Sequence, residues 1–125
     1  MITDLVPEEQ RNRLIDAHQR IQRGEFDEER IPILGKLSGP DGLPIYLLVA
    51  LDSTPAQEVL WAVVDYGDGN VSYGSFEATD LQDDDLHFEQ DFRSEGLFVD
   101  SVISLDSLSE DTLNLSRSHH RGLRL

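Results

Sequence analysis

The sequence alternates short runs of β-forming residues with compact turns, and this alternation constrains the fold more than any other feature. The runs are rich in aliphatic and aromatic side chains and cover residues 31–37, 44–51, 59–66 and 71–76. Ser38-Gly39-Pro40-Asp41-Gly42 separates the first two runs, and Gly67-Asp68-Gly69-Asn70 separates the last two. Connections this short join antiparallel neighbours, so the pattern predicts a β-meander.

A helix is predicted before the first run. Pro7 stands at an early helical position where its missing N–H costs nothing, and Glu8 and Glu9 face the positive end of the helix dipole. Gly24 follows as the residue that ends the helix. Spacings of three and four give one narrow stripe on the helix, made of Leu14, Ala17, His18 and Ile21. The predicted fold class is therefore α+β, with this helix packed on a mainly antiparallel meander of about five or six strands.

Two more strands are predicted in the second half of the chain. The run from Leu86 to Phe92 alternates in polarity, so Leu86, Phe88 and Phe92 are expected to face the core. Residues 97–105 predict a last strand. We therefore expect one α+β domain over residues 1–106, followed by a Ser-rich, partly basic C-terminal tail over residues 107–125, which is either a short helix or disordered.

Negative charge is concentrated in the middle of the chain. The sequence has 25 acidic and 10 basic side chains, a formal net charge of −15. Residues 37–92, called the acidic segment below, contribute −12 and contain no Lys or Arg, whereas residues 1–36 contribute −2 and residues 93–125 contribute −1. This sign excludes direct binding to nucleic-acid phosphates. Adaptation to high salt is one alternative explanation, but it predicts acids over the whole surface rather than in one segment.

Several other classes of protein are excluded by composition. The absence of cysteine removes disulfides, thiolate nucleophiles and Cys-based zinc sites. The longest apolar run, Ile45 to Leu51, is far shorter than the roughly 20 residues that span a bilayer, and no signal peptide is visible at the start. We therefore expect a cytoplasmic protein with no membrane partner, and the sequence assigns no cofactor and no catalytic residue.

One set of residues has the chemistry of metal ligands. Polar residues on one face of the run at 86–92 would lie about 7 Å apart, so a pair of them is able to share an ion that accepts oxygen and one imidazole. The candidates are Asp85, His87, Glu89 and Asp91. Because four ligands in a straight line cannot surround an ion, a charged edge strand that resists pairing explains them better. A metal-binding regulator or metal-dependent enzyme stays open as an alternative.

The acidic segment favours a non-enzymatic interaction protein that binds a basic surface on a partner protein. Side chains on adjacent strands lie about 4.8 Å apart and alternate residues along a strand about 7 Å apart, which brackets the spacing of phosphates along one DNA strand. A DNA mimic that inhibits a defence nuclease or a CRISPR-type complex has this character. The predicted contact residues are Asp80, Asp83, Asp84, Asp85, Glu89 and Asp91.

Short motifs between residues 5 and 92 resemble an uncharacterised bacterial family. The motifs lie at residues 5–14, at residues 32–37, at Tyr46-Leu47-Leu48, at Asp65-Tyr66-Gly67 and at Glu89-Gln90-Asp91. Their order is similar to that in a domain of unknown function that is common on plasmids and other mobile elements of proteobacteria. The resemblance implies a small accessory protein of a mobile element, and it carries over no activity and no catalytic residue.

Overall fold

The predicted helix and hairpins are present in the computed structural model, which describes residues 5–27, 30–81 and 85–122. The elements in chain order are α1 (Glu8–Gln22), β1 (Gly35–Ser38), β2 (Ile45–Ser53), β3 (Glu58–Asp65), β4 (Val71–Glu77), α2 (Ala78–Leu81), β5 (His87–Phe88), α3 (Val99–Val102) and α4 (Glu110–Gly122). The strands form one antiparallel sheet in the order β4-β3-β2-β1-β5. The α+β fold class is confirmed.

Helix α1 begins and ends where its sequence predicts. Pro7 is the N-cap, with extended backbone at φ −61° and ψ 154°, and Gly24 follows the helix with a φ of +71° that glycine adopts without strain. The helix packs against β2. Gln10 is buried and its Nε2 donates to the carbonyl of Leu34 at 3.0 Å. A Cβ at Gly35 would lie 2.6 Å from that Nε2, so glycine lets the helix approach β1.

The central strand β2 is buried on both faces of the sheet. Every residue from Ile45 to Leu51 is buried, which explains a continuous apolar run without alternation. One face holds a cluster that includes Leu14, Leu37, Tyr46, Leu48, Leu60, Leu81 and Leu86. The other face holds a cluster that includes Ala17, Leu47, Val63, Val99, Val102, Leu108 and Leu113. Helix α1 supplies residues to both clusters, α2 closes the first, and α3 and α4 close the second.

The strand predicted from Leu86 to Phe92 is wrong in its length. Only His87 and Phe88 are in a strand, because β5 pairs with the last two residues of the four-residue β1, Leu37 and Ser38. One further backbone bond, from Glu89 N to Lys36 O at 3.0 Å, continues the contact before the chain turns. The alternating sequence from Leu86 to Phe92 therefore forms a two-residue strand followed by a turn.

The strand predicted over residues 97–105 is wrong in type. Phe98 forms an isolated bridge with Pro32, and α3 begins directly after it. The Ser101 hydroxyl accepts from Phe98 N at 3.2 Å and donates to Phe98 O at 2.9 Å, which satisfies groups at the start of the helix. Val99 and Val102, three residues apart, are both buried against the sheet. A spacing of three residues is typical of a helix. Both residues are β-branched, however, and β-branched residues favour strands, which is why a strand was predicted here.

The segment predicted as a C-terminal tail contains α4, which agrees with the helical alternative. Leu108 and Leu113 from this segment are buried in the second cluster, whereas Leu115 is 71% exposed. The described part of the chain has no helix that is both long and apolar enough to cross a membrane.

Substitution of a buried residue in α4 is expected to unfold the whole domain more easily. Leu113→Ala should lower the free energy of unfolding by about 2–5 kcal/mol, because Leu113 is fully buried and its loss leaves a cavity under the sheet. The matched control Leu115→Ala should change it by less than about 0.5 kcal/mol. Urea unfolding followed by circular dichroism measures both, and equal effects would show that α4 does not pack on the sheet.

Candidate functional site

Lys36, the chain's only lysine, is a buried residue of β1. Its side chain is 7% exposed, and its Nζ lies 3.5 Å from Glu89 Oε2 and 3.8 Å from Glu110 Oε1. The ammonium also lies 5.6 Å from the centre of the Phe92 ring, within cation–π range. A buried ammonium requires such partners. Lys36 therefore ties β1 to the turn after β5 and to the first turn of α4.

Glu89 extends this polar cluster to the neighbouring strands. Its Oε1 accepts a hydrogen bond from Ser38 Oγ at 3.1 Å and lies 3.5 Å from His87 Nε2. Partial burial raises the pKa of Glu89, but the positive charge of Lys36 and the Ser38 hydrogen bond outweigh that effect, and the net pKa lies below its ordinary value of 4.5. Glu89 is therefore ionised at neutral pH and is a counter-ion of Lys36.

The Ser38, His87 and Glu89 side chains do not form a nucleophile relay. Such a relay needs the hydroxyl and the carboxylate on opposite nitrogens of the imidazole. Here Ser38 Oγ lies 3.2 Å from His87 Nε2, and the Glu89 carboxylate approaches the same nitrogen. Ser38 is also buried, so a substrate cannot reach its hydroxyl.

The four candidate metal ligands do not line one strand face. His87 lies in β5, whereas Asp85 precedes it at a φ of +51° and Asp91 lies in the turn that follows. Glu89 binds Lys36 and Ser38. Within the described part of the chain, no group of three or more His, Asp or Glu side chains is arranged to hold a metal ion.

Two carboxylates of the acidic segment are interior groups, which the sequence did not indicate. Glu58 Oε2 lies 2.9 Å from Arg11 Nη2 and accepts from Ser53 Oγ at 3.0 Å, and its side chain is 5% exposed. Asp65 is also buried and accepts from two backbone amides, those of Gly67 at 2.7 Å and Leu108 at 2.9 Å. These carboxylates stabilise the fold and are not part of a contact surface.

Six other carboxylates of the acidic segment are exposed: Asp41, Asp68, Glu77, Asp80, Asp85 and Asp91. Three of the predicted contact residues, Asp80, Asp85 and Asp91, belong to this set. Glu89 is half-buried, and Asp83 and Asp84 lie outside the described residues. Asp80 is in α2, Asp85 precedes β5 and Asp91 follows it, so the three occupy different segments of the surface.

A groove of about 550 Å³ lies between the two hairpin turns and the start of α4. Its acidic lining consists of Asp41, Asp65, Asp106 and Glu110, with Lys36 among them. Sequence reasoning missed the last two acids because Asp106 is the final residue of the predicted domain and Glu110 lies in the segment assigned to the tail. The signal for that helix start was Ser109 before Glu110, and the Ser109 hydroxyl does accept from Thr112 N at 3.3 Å.

Residues 5–107 match the model of a family described as protein of unknown function (DUF2958). The chain belongs to the DUF2958 family. The predicted membership of an uncharacterised domain family is thereby confirmed. No curated protein and no solved structure matches the chain. The DUF2958 match ends one residue before Leu108, so α4 and the amide that Asp65 binds lie beyond it.

The stabilising effect of Glu89 is expected to depend on pH. Because its pKa is lowered in the folded state, its contribution is fully present above its unfolded value of about 4.5 and is lost as the pH falls through the folded pKa. The difference in free energy of unfolding between the wild type and Glu89→Gln should therefore be constant near neutral pH and shrink below about pH 4.5. Thermal unfolding across this pH range measures the difference.

The same pH series in a Lys36→Met background provides the control. Removing the ammonium removes the main attraction that lowers the Glu89 pKa, so the shrinkage should become weaker there. A difference between wild type and Glu89→Gln that stays constant down to about pH 3 would contradict the counter-ion role.

Proposed function

We propose that this DUF2958 protein binds the positively charged surface of a partner protein and has no enzymatic activity of its own. The observation that supports this proposal is the exposure of six carboxylates in a segment that contains no Lys or Arg. Their charge is directed outward, and surface charge of one sign speeds association with a cationic surface. Adaptation to high salt does not require one segment of the chain to lack Lys and Arg.

None of the salt bridges among the described residues involves these six carboxylates. In the described part of the chain, the salt bridges of Arg and Lys go to other acids: Glu25, Glu58, Glu89 and Glu110. Arg117 lies over the Phe92 ring and donates to the carbonyl of Arg93. The cations that form these contacts are thus engaged elsewhere, which leaves the exposed carboxylates to act on a partner.

Among basic surfaces, we favour one that otherwise binds nucleic acid. Asp41 and Asp68 lie in the two hairpin turns at one end of the sheet, since Ile45 at the start of β2 pairs with Asp65 at the end of β3. Negative charges repeated along one end of a sheet are a feature that the phosphate backbone of DNA shares. In this form of the proposal, the protein is a DNA mimic that inhibits a defence nuclease or a CRISPR-type complex.

Two triple variants of equal net charge test whether binding depends on where the acids lie. One replaces Asp80, Asp85 and Asp91 with Asn, and the matched control replaces Asp16, Glu95 and Asp111, also exposed, with their amides. The probe is a histone tetramer, and affinity is measured by calorimetry at about 50 and about 200 mM salt. We expect the first variant to bind about tenfold more weakly than wild type and the control less than about threefold, with wild-type affinity falling steeply as salt rises.

Equal losses in the two variants would contradict a directed contact surface and support a general role of the charge in solvation. The DNA-mimic form has its own readout, which is displacement of a labelled duplex from the same tetramer. Binding to the tetramer without displacement would limit the proposal to a basic surface that is separate from the DNA path.

A further inference from the structure

Strand β4 is a long open edge of the sheet. It covers seven residues, Val71–Glu77, and among the described residues it pairs with β3 alone. The opposite edge is formed by the two-residue β5. A strand of two residues offers too few unpaired groups to extend the sheet, whereas a strand of seven presents a row of them. The two edges of the sheet therefore differ in their capacity to accept another strand.

The sequence of β4 lacks the features that commonly protect an edge. From Val71 to Phe76 it contains no charged residue and no proline, and its register with β3 runs without a bulge from Asp65↔Val71 to Val59↔Glu77. On one face Tyr73 is 38% exposed, and its ring centre lies 5.8 Å from that of Trp61. A shallow groove of about 260 Å³ adjoins these two rings. An added strand would thus find both backbone partners and an aromatic contact.

The charges that flank β4 restrict what is able to pair with it. Asp68 precedes the strand, Glu77 is its last residue and Asp80 follows, all of them exposed. An antiparallel pairing of two copies centred on Gly74 would bring the turn that carries Asp68 in one copy towards Glu77 and Asp80 of the other, so like charges would meet at both ends. The same flanks attract a segment that has cations at both ends. Charge therefore favours a basic partner over a second copy.

We propose that β4 accepts an extended segment of the partner as an additional strand. The segment is uncharged in its centre and carries Lys or Arg at each end. This inference rests on the proposed binding to a basic partner, and it adds where and how the partner is held. Main-chain hydrogen bonds to β4 supply affinity, whereas the acidic flanks fix the register and select the basic ends.

Three synthetic peptides separate the backbone and charge contributions. The first has Lys-Arg and Arg-Lys ends around an alternating Thr-Val centre, the second is the same peptide with N-methylated amides at alternate central residues, and the third has Ser in place of the terminal cations. Calorimetry with the full chain should show the first binding at least about tenfold more tightly than either control. Hydrogen exchange of amides in residues 71–77 should slow only with the first peptide.

The outcomes distinguish this inference from the function on which it rests. If the first two peptides bind equally and no amide in β4 is protected, pairing at the edge is overturned while binding to a basic partner stands. If the Ser-ended peptide binds as well as the first, the proposed function, recognition of a partner through its positive charge, is contradicted. If sedimentation without peptide shows a dimer with β4 already protected, a second copy occupies the edge and the inference is overturned.

Discussion

The Asp65 carboxylate joins the end of β3 to the segment before α4, which lies 43 residues further along the chain. It ends β3, accepts from the amide of Gly67 in the following turn, and accepts from the amide of Leu108 before α4. A buried carboxylate is tolerated only when its oxygens have donors, and each oxygen here has one. Leu108 is thereby held under the sheet, where it and Leu113 close the second apolar cluster. Together with the Lys36–Glu110 ion pair, this carboxylate fixes the C-terminal segment to the sheet.

Local patterns predicted the first two thirds of the fold because the elements there are stabilised by their own neighbours. The Pro7 and Gly24 signals bound α1, and turns rich in glycine connect strands that are adjacent in sequence. The predictions for the later segments were wrong because the structure of those segments depends on residues that are distant along the chain. β5 is as short as its two-residue pairing with β1 allows, and α3 is positioned where Phe98 meets Pro32. Periodicity within a segment does not contain this information.

The candidate site was predicted only in part, for a related reason. Counting carboxylates along the acidic segment did not separate exposed groups from interior ones, since Asp65 and Asp68 look alike in sequence. Burial of Glu58 and Asp65 depends on Arg11 and on the Leu108 amide, both far away along the chain. Lys36 and Glu89 lie within the motifs that resemble the family, and their ion pairs connect β1 with the turn after β5 and with α4. Composition did predict exposed carboxylates in the acidic segment, and Asp80, Asp85 and Asp91 are exposed.

The open edge of β4 gives the net charge a second consequence, which concerns colloidal behaviour. An open edge whose first six residues are uncharged is the kind of surface through which β-proteins aggregate, and only Glu77 at its end places a charge within the strand. Mutual repulsion between copies that each carry −15 keeps such edges apart at neutral pH. Near the isoelectric point of about 4.3 that protection disappears. Strand-to-strand contact at β4 is therefore the route by which this protein is expected to precipitate near its isoelectric point.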